Sequence, residues 1–491
     1  MTYTTLDNSP VAGLKPGLFW KHFYELTRIP RPSGSEKAVG DYLVECAKKM
    51  NLEGKRDDAG NVLIRKQATK GHEKAPGVIL QSHLDMVCEK NSSVSFDFHK
   101  DPIRIKREGD FITADGTSLG ADNAAGIAAS LAVLEEEGLV HPPLECLFTI
   151  DEETGMTGAK NLKGDFLQGR RLLNLDSEQM GDIYVGCAGG SDNVLRLPLI
   201  MVPAEAGSTF VEVKVTGLKG GHSGLDIHEG RANAIRLLGR FLSNCHSDGL
   251  EFHLVSFKGG SKRNAIPREA EALIALKPQA LTALKEKAAS WEKIYRTEYS
   301  PVEEIVEISI KEGKAHDRVF LPDCTIKALD LLILIPHGVL AMSRSLKDLV
   351  ESSTNLAIVK TENQELSIEL SHRSSSGTFI RSIDERTEAL ARLCRLKYSR
   401  GQGYPGWQPD MESEVLRIAR ETYRKSFDKE AEIKAIHAGL ECGLIIEKFP
   451  GMDAISFGPT LRNVHSPDEV INIPSVEVFW KYLVELLKAL S

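Results

Sequence analysis

Residues 77–87 read GVILQSHLDMV. A short apolar run, GVILQ (77–81), ends in Ser82-His83-Leu84-Asp85. The same construction returns twice: LECLFTI (144–150) precedes Asp151-Glu152-Glu153, and RLLNL (171–175) precedes Asp176. Short continuous apolar runs suit strands buried on both faces. Between the first two runs, AAGIAASLAVLEEEG predicts a helix with small residues along one side and Gly138 as its C-cap. Strands alternating with helices predict an α/β sheet, in which functional groups gather beyond the carboxyl ends of the strands. All three runs place imidazole or carboxylate groups there.

Working outward, residues 20–50 read as helical, with a 3.6-residue apolar stripe in EKAVGDYLVECAKKM. From about 189 the texture changes. TFVEVKVTG (209–217) alternates as a half-exposed strand does and runs into a glycine-rich turn around His222. A helix over 230–245 and strands near 250–257 and 268–276 follow. A similar order recurs: TIKALDLLILI reads as a strand, Pro336-His337-Gly338 as a turn, LAMSRSLKDLVES as a helix, and NLAIVKT and LSIELSH as strands. Two related α+β units are therefore expected in 189–399. GQGYPGWQPD (401–410) reads as a linker. After it, ESEVLRIARETYRKSF is an amphipathic helix, AEIKAIH and DAISFG are strands, and SVEVFWKYLVELLKAL is a final helix. The expectation is an α/β sheet domain with helices on both faces, made of 1–188 and 400–491, interrupted by an inserted α+β domain over 189–399.

The composition is that of a globular protein, with 42% hydrophobic and 26% charged residues among 491. A net charge of −8 argues against nucleic acid or an anionic membrane as partner. The opening MTYTTLDNSPVAGLKPGLFW has no basic region followed by an apolar one, and ALDLLILIPHGVLAM is too short and interrupted to span a bilayer. Eight scattered cysteines without a CxxC read as reduced thiols, so a cytoplasmic protein is expected.

The strand-end groups match a two-metal hydrolytic centre. Two divalent ions about 3.5–4 Å apart need oxygen and imidazole ligands, one of them shared. His83 and Asp85 form a His-x-Asp step in which the carboxylate orients the imidazole. Asp122 begins the small-residue helix and suits a bridging ligand. Of the adjacent Glu152 and Glu153, one can bind metal while the other stays free as a base. Asp176 and the late His465 complete the inventory. Taken singly, an acidic pair after a strand is also a solvated turn, and paired carboxylates also serve glycosidases. Adjacent residues rarely flank a bond at the separation of about 5 Å or more that glycosidases need.

QSHLDMV, LGADNAAGIA, TIDEETGMTGA, NLDSEQMG, GGHSG and HSPDE, in this order, resemble the co-catalytic zinc peptidase superfamily of carnosinases, aminoacylases and carboxypeptidase G. YPGWQPD and HAGLECG are similar to its aminoacyl-histidine dipeptidase branch. Ala124-Ala125 departs from the glycine and bulkier apolar residue common in that branch. The resemblance implies a zinc-peptidase sheet domain with an inserted lid. It also implies a cis peptide between Asp122 and Asn123. One ion would take His83, Asp122 and Glu153, and the other Asp122, Asp176 and His465. Glu152 would be the general base, with Asp85 beside it. In the lid, His222 would stabilise the oxyanion, Arg373 would pair with the substrate's terminal carboxylate, and Asn264 would hydrogen-bond substrate. Gly439 and Glu441 would lie near the substrate's amino end.

The resemblance further implies two divalent ions, Zn2+ foremost with Mn2+ or Co2+ as alternatives, and a dipeptide substrate, Xaa-His or a broader set. An N-acyl amino-acid deacylase or a tripeptidase on the same scaffold is the alternative activity. A homodimer through the lid and an internal stand-in for the partner are both compatible with the double-sized insert.

Overall fold

The computed structural model describes residues 6–491, so the first five positions of the N-terminal stretch read above lie outside it. The chain forms two compact units. The first comprises residues up to Gly186, Pro409–Ala435 and Leu440–Ser491; the second comprises Cys187–Gln408 and Ile436–Gly439.

The first unit is built on an eight-stranded sheet. Its order begins Glu53–Arg56, Val62–Lys66, Leu144–Thr149, Val78–His83, Arg171–Asn174, Asp453–Ser456, and two further strands complete the edge. Val78–His83 runs parallel to both of its neighbours, with His83 opposite Thr149 and Gln81 opposite Asn174. The segments bearing His83, Glu152-Glu153 and Asp176 therefore leave the sheet at one end. Val78–His83 and Leu144–Thr149 are buried at every position, which is why both read as unbroken apolar runs.

The helix Ala121–Glu135 packs on Val78–His83. Its small residues allow the approach. A Cβ on Gly126 would lie 2.8 Å from the Leu175 carbonyl oxygen and 2.9 Å from Ser82 Cβ. The helix ends at Glu135, earlier than a Gly138 cap would place it: Glu136 is already extended, and Gly138 turns the chain two residues later. Lys66 Nζ takes over the capping, donating to the Val133 and Leu134 carbonyls at 2.9 and 3.0 Å.

The second unit holds a nine-stranded sheet. Two βαββαβ sets supply eight of its strands, and Gly338–Met342 is the ninth. One set is Thr209–Thr216, Ala234–Ser247, Phe252–Gly259, Ala270–Leu276, Ala280–Tyr299 and Glu307–Glu312. The other is Gly189–Pro198, Pro322–Leu334, Val350–Glu362, Glu365–Ser374, Gly377–Cys394 and Lys397–Arg400. Strand order within each set is the same, mirrored about the antiparallel pair Phe252–Gly259 and Val350–Glu362. The first set is inserted between the first strand and first helix of the second. The order recurs as expected, but through different elements.

TIKALDLLILI is a helix, not a strand: Pro322 opens it, and Ala328, Leu329, Leu331 and Leu332 face inward while Ile326, Ile333 and Leu334 are exposed. Leu332 seats against Gly239, whose hypothetical Cβ would come 2.8 Å from Leu332 Cβ. LAMSRSLKDLVES is not a helix but part of a hairpin. Gly338–Met342 pairs with Val350–Glu362, and Ser343 N donates to the Leu349 carbonyl across the turn at 2.8 Å. GQGYPGWQPD is no free linker either. Through Gln408 it belongs to the second unit, with Tyr404 N bonded to the Gly190 carbonyl and Trp407 N to that of Cys187.

Among the described residues the eight cysteines form no disulfide, and no helix is long and apolar enough to cross a membrane. Filling the Gly126 contact tests the helix–strand packing. Gly126→Ala should lower stability by about 1–3 kcal/mol, the range for overpacking, read as a lower urea-unfolding midpoint. An unchanged midpoint would mean that the helix has room to move.

Candidate metal centre and recognition residues

Within the first unit, His83 Nε2 lies 2.9 Å from Asp122 Oδ1 and 3.3 Å from Asp176 Oδ1. His465 Nε2 lies 3.2 Å from Asp122 Oδ2 and 3.1 Å from Glu153. Asp122 thus presents one oxygen to each imidazole. Three groups of potential ligand atoms result, His83–Asp122–Asp176, Asp122–Glu153–His465 and His83–Glu152–Glu153, each with its atoms within 4.8 Å of one another. The first two groups pair Asp176 with His83 and His465 with Glu153, while the third keeps Glu153 beside His83, as in the set the resemblance implies. Asp176 stands beside His83 because their strands are adjacent and parallel, whereas His465 arrives from a turn on the side of Glu153. Imidazole and carboxylate oxygen suit Zn2+, Mn2+ or Co2+, and a shared carboxylate suits two ions.

The peptide between Asp122 and Asn123 is cis. Asn123 Nδ2 donates to the Leu175 carbonyl at 3.0 Å and to the Asp176 carboxylate, fixing that carboxylate's orientation. Asp85 is fully buried and holds the acidic pair by its backbone: Glu152 N and Glu153 N donate to its two oxygens at 3.0 and 3.1 Å. Ser33 Oγ adds a bond at 2.7 Å, and His83 Nδ1 stands 3.4 Å away. Burial alone would raise the Asp85 pKa. The His83 contacts, Ser33 and the Glu152 N–H outweigh it and hold the group down at about 2. Asp85 is thus held in its ionised form, with both oxygens engaged by the backbone of the acidic pair.

Burial, together with Asp176, Glu441 and Glu153, pushes the Glu152 carboxyl well above its ordinary range against the pull of His83. Asp176 is driven up to about 6, chiefly by burial and then by Asp122 and Glu153, although His83 opposes this. In the opposite direction, bonds to Asp122 and Glu153 raise His465 to about 11 despite partial burial. This is the electrostatics of a buried carboxylate cluster that needs cationic charge. Glu441 lies alongside, accepting from Gln81 Nε2 at 2.7 Å and Thr149 Oγ1 at 2.5 Å, with its other oxygen buried and unpaired. Burial raises it to about 8.

Residues 79–489 match peptidase family M20/M25/M40. This chain belongs to that family. It is 42% identical to the cytosol non-specific dipeptidase of Escherichia coli over 98% of its own length and 99% of the relative's. It is also similar to the crystal structure of aminoacylhistidine dipeptidase from Vibrio alginolyticus, with 40% identity, a TM-score of 0.90 and 99% of each chain covered. A tripeptidase from Staphylococcus aureus, 18% identical with a TM-score of 0.55 over 97% of this chain and 99% of its own, shares the fold alone.

In this M20 peptidase the second unit carries His222, Asn264, Arg373 and Gly439. Gly221–His222 pairs with Ala265–Ile266, and Ser223 N donates to the Asn264 carbonyl at 2.8 Å, which sets His222 and Asn264 on neighbouring turns. Gly224 N and Leu225 N both donate to His222 Nδ1, at 3.2 and 3.0 Å. That acceptance places the ring proton on Nε2. Burial, then Arg373, lowers the His222 pKa, so the ring is neutral with Nε2–H as a donor.

Arg373 and His222 flank the same glycine: a Cβ on Gly224 would lie 3.2 Å from Arg373 Nε and 3.1 Å from His222 Cε1. Arg373 is only 8% exposed, and its Nε–H is buried without a partner. Its Nη1 donates to Tyr404 Oη at 3.0 Å. Gly439 packs on the same ring, where a Cβ would meet Tyr404 Cε2 at 2.9 Å. Sequence reading missed Tyr404, although YPGWQPD was among the motifs that carried the resemblance.

Metal binding has a definite proton balance. His465 is protonated in the metal-free protein and must lose its proton to ligate, and below about pH 6 so must Asp176. Zinc added at pH 6 should release at least one proton, and its affinity should fall as pH falls. Calorimetry in buffers of different ionisation enthalpy checks this; a buffer-independent heat would contradict it.

Proposed function

We propose that this M20 peptidase is a cytosolic, metal-dependent dipeptidase using two divalent ions, Zn2+ foremost. The observation carrying the reading is Asp122, whose two carboxylate oxygens face two different histidines in two overlapping ligand groups. His83 and Asp176 would hold one ion, Glu153 and His465 the other, and Asp122 both. Ions held there would supply Lewis acidity and a more acidic water.

Glu152 accepts the proton of the attacking water and returns it to the leaving amine. Its burial beside His83, Asp176 and Glu153 suits that exchange. Asp85 keeps Glu152 in place through the backbone. His222 donates Nε2–H to the oxyanion. Arg373, a buried cation with an unused N–H, takes the terminal carboxylate through its planar fork. Asn264 and Gly439 complete substrate binding.

Catalysis is thus assigned to the first unit and recognition to the inserted one. The names of the Escherichia coli and Vibrio relatives, a non-specific dipeptidase and an aminoacylhistidine dipeptidase, support Xaa-His within a wider set of dipeptides. The first of those names also supports the cytosol.

The deciding assay is hydrolysis of a dipeptide panel, N-acetyl amino acids and tripeptides by zinc-, manganese- and cobalt-loaded protein. Dipeptides should be turned over fastest. Turnover confined to acylated amino acids would overturn the reading. Glu152→Ala should keep its metal and lose about 10²–10⁴-fold in kcat; full kcat would remove Glu152 as base. Arg373→Ala should raise KM for dipeptides about 10–100-fold, the worth of charge-assisted hydrogen bonds. An unchanged KM would place the carboxylate elsewhere.

A further inference from the structure

The peptide of Gly120 is gripped from both sides by buried, oppositely charged side chains. Glu469, 2% exposed, accepts the N–H groups of Leu119 and Gly120 on one oxygen, both at 2.8 Å, and that of Asp122 on the other at 3.2 Å. Arg31, 1% exposed, donates from Nη2 to the Gly120 carbonyl. Its Nη1 donates to the carbonyls of Leu84 and Asp85 at 2.9 and 2.8 Å. All three of these Arg31 bonds go to the backbone.

The connections are selective. Leu84 and Asp85 directly follow His83, Leu119 and Gly120 directly precede Asp122, and Glu469 closes the HSPDE segment that starts at His465. The two side chains therefore touch the segments carrying His83, Asp122 and His465. Glu469 is itself anchored, because the adjoining strand Val470–Asn472 pairs with Phe111–Ala114 and Thr113 Oγ1 donates to the Glu469 carbonyl at 2.9 Å. The backbone is shaped for the grip. Gly120 is left-handed, with φ 69°, and a Cβ there would lie 2.7 Å from both Arg31 Nη2 and Met86 Sδ.

Desolvating a charge costs several kcal/mol unless its hydrogen bonds are satisfied. Two such charges spent on one stretch of backbone are a costly way to build a turn. They are an effective way to fix a carboxylate that must address two ions, since outer partners of ligands set metal affinity.

We infer that Arg31 and Glu469 are positioning residues that preorganise Asp122 for metal by clamping the backbone of Leu119–Asp122. The inference rests on Asp122 being the shared ligand. Zinc affinity of the full-length apo protein, measured by competition with a chromophoric chelator, tests it. Glu469→Gln keeps the shape but replaces one accepting oxygen with a donor. It should weaken zinc binding about 10–100-fold, with a far-UV spectrum like that of the wild type.

Glu145→Gln is the control. Glu145 is also buried and also accepts two backbone N–H groups, those of Gln168 and Gly169, but at the opposite end of its strand from the ligands. It should bind zinc as the wild type does. Wild-type affinity in Glu469→Gln, or an equal loss in both variants, overturns the clamp. Should Glu469→Gln not fold, amide exchange in the wild-type apo protein decides: the N–H groups of Leu119, Gly120 and Asp122 should be protected without metal, and fast exchange overturns the inference. Asp122→Asn separates the two layers. If that variant binds zinc normally, the metal reading fails; if it loses zinc while Glu469→Gln does not, only the clamp fails.

Discussion

Mutual repulsion among buried carboxylates is the constraint on which the first unit depends. Asp122, Glu152, Glu153, Asp176 and Glu441 surround His83, and burial drives three of them, Glu152, Asp176 and Glu441, toward the neutral form. A chain that concentrates such groups at one end of a parallel sheet must bring in positive charge or protonate. His83 and His465 supply part of that charge in the metal-free protein, which is why their own pKa values rise. Divalent ions would take over the same role. The fold's task is then to hold the carboxylates together, and the helix Ala121–Glu135 with its glycine contact at 126, the Asp85 grip on the acidic pair and the Asn123 bond to Asp176 all serve it.

The second unit shows a complementary economy. Among the described residues it buries Arg373 without a carboxylate partner, where the first unit buries several carboxylates. Arg373 has Tyr404 on one nitrogen and nothing on Nε. His222 has its Nδ1 saturated by two amides, so only Nε2–H is left to act. Both side chains are held by local contacts, and each keeps a donor that those contacts do not use.

Much of the first unit was legible because its strands are buried on both faces. GVILQ, LECLFT and RLLN are short, mostly apolar runs that end abruptly in polar residues, and their length and turn-rich flanks favour strands. The ligands inherit that legibility from their strand ends. TIKALDLLILI was not legible: apolar at most positions, it suits a strand as well as a helix, and the inward face against Gly239 is visible only in the fold. Its neighbour failed for the opposite reason, since the polar SRSLKD is helix-compatible until strand pairing across it makes it a turn. Which carboxylate stands beside which histidine also depends on register, which motif order does not contain. Arg31 and Glu469 act on backbone, and no side-chain pattern announces that.

The central claim is that Asp122 is shared between two ions with a particular division of the remaining ligands. Anomalous diffraction from crystals of the zinc-loaded protein, recorded at the zinc edge, tests it most directly. The account predicts two peaks, one bound by His83 and Asp176, the other by Glu153 and His465, with one Asp122 oxygen on each. A single peak, or two peaks with Asp122 bound to neither or only one, would contradict it.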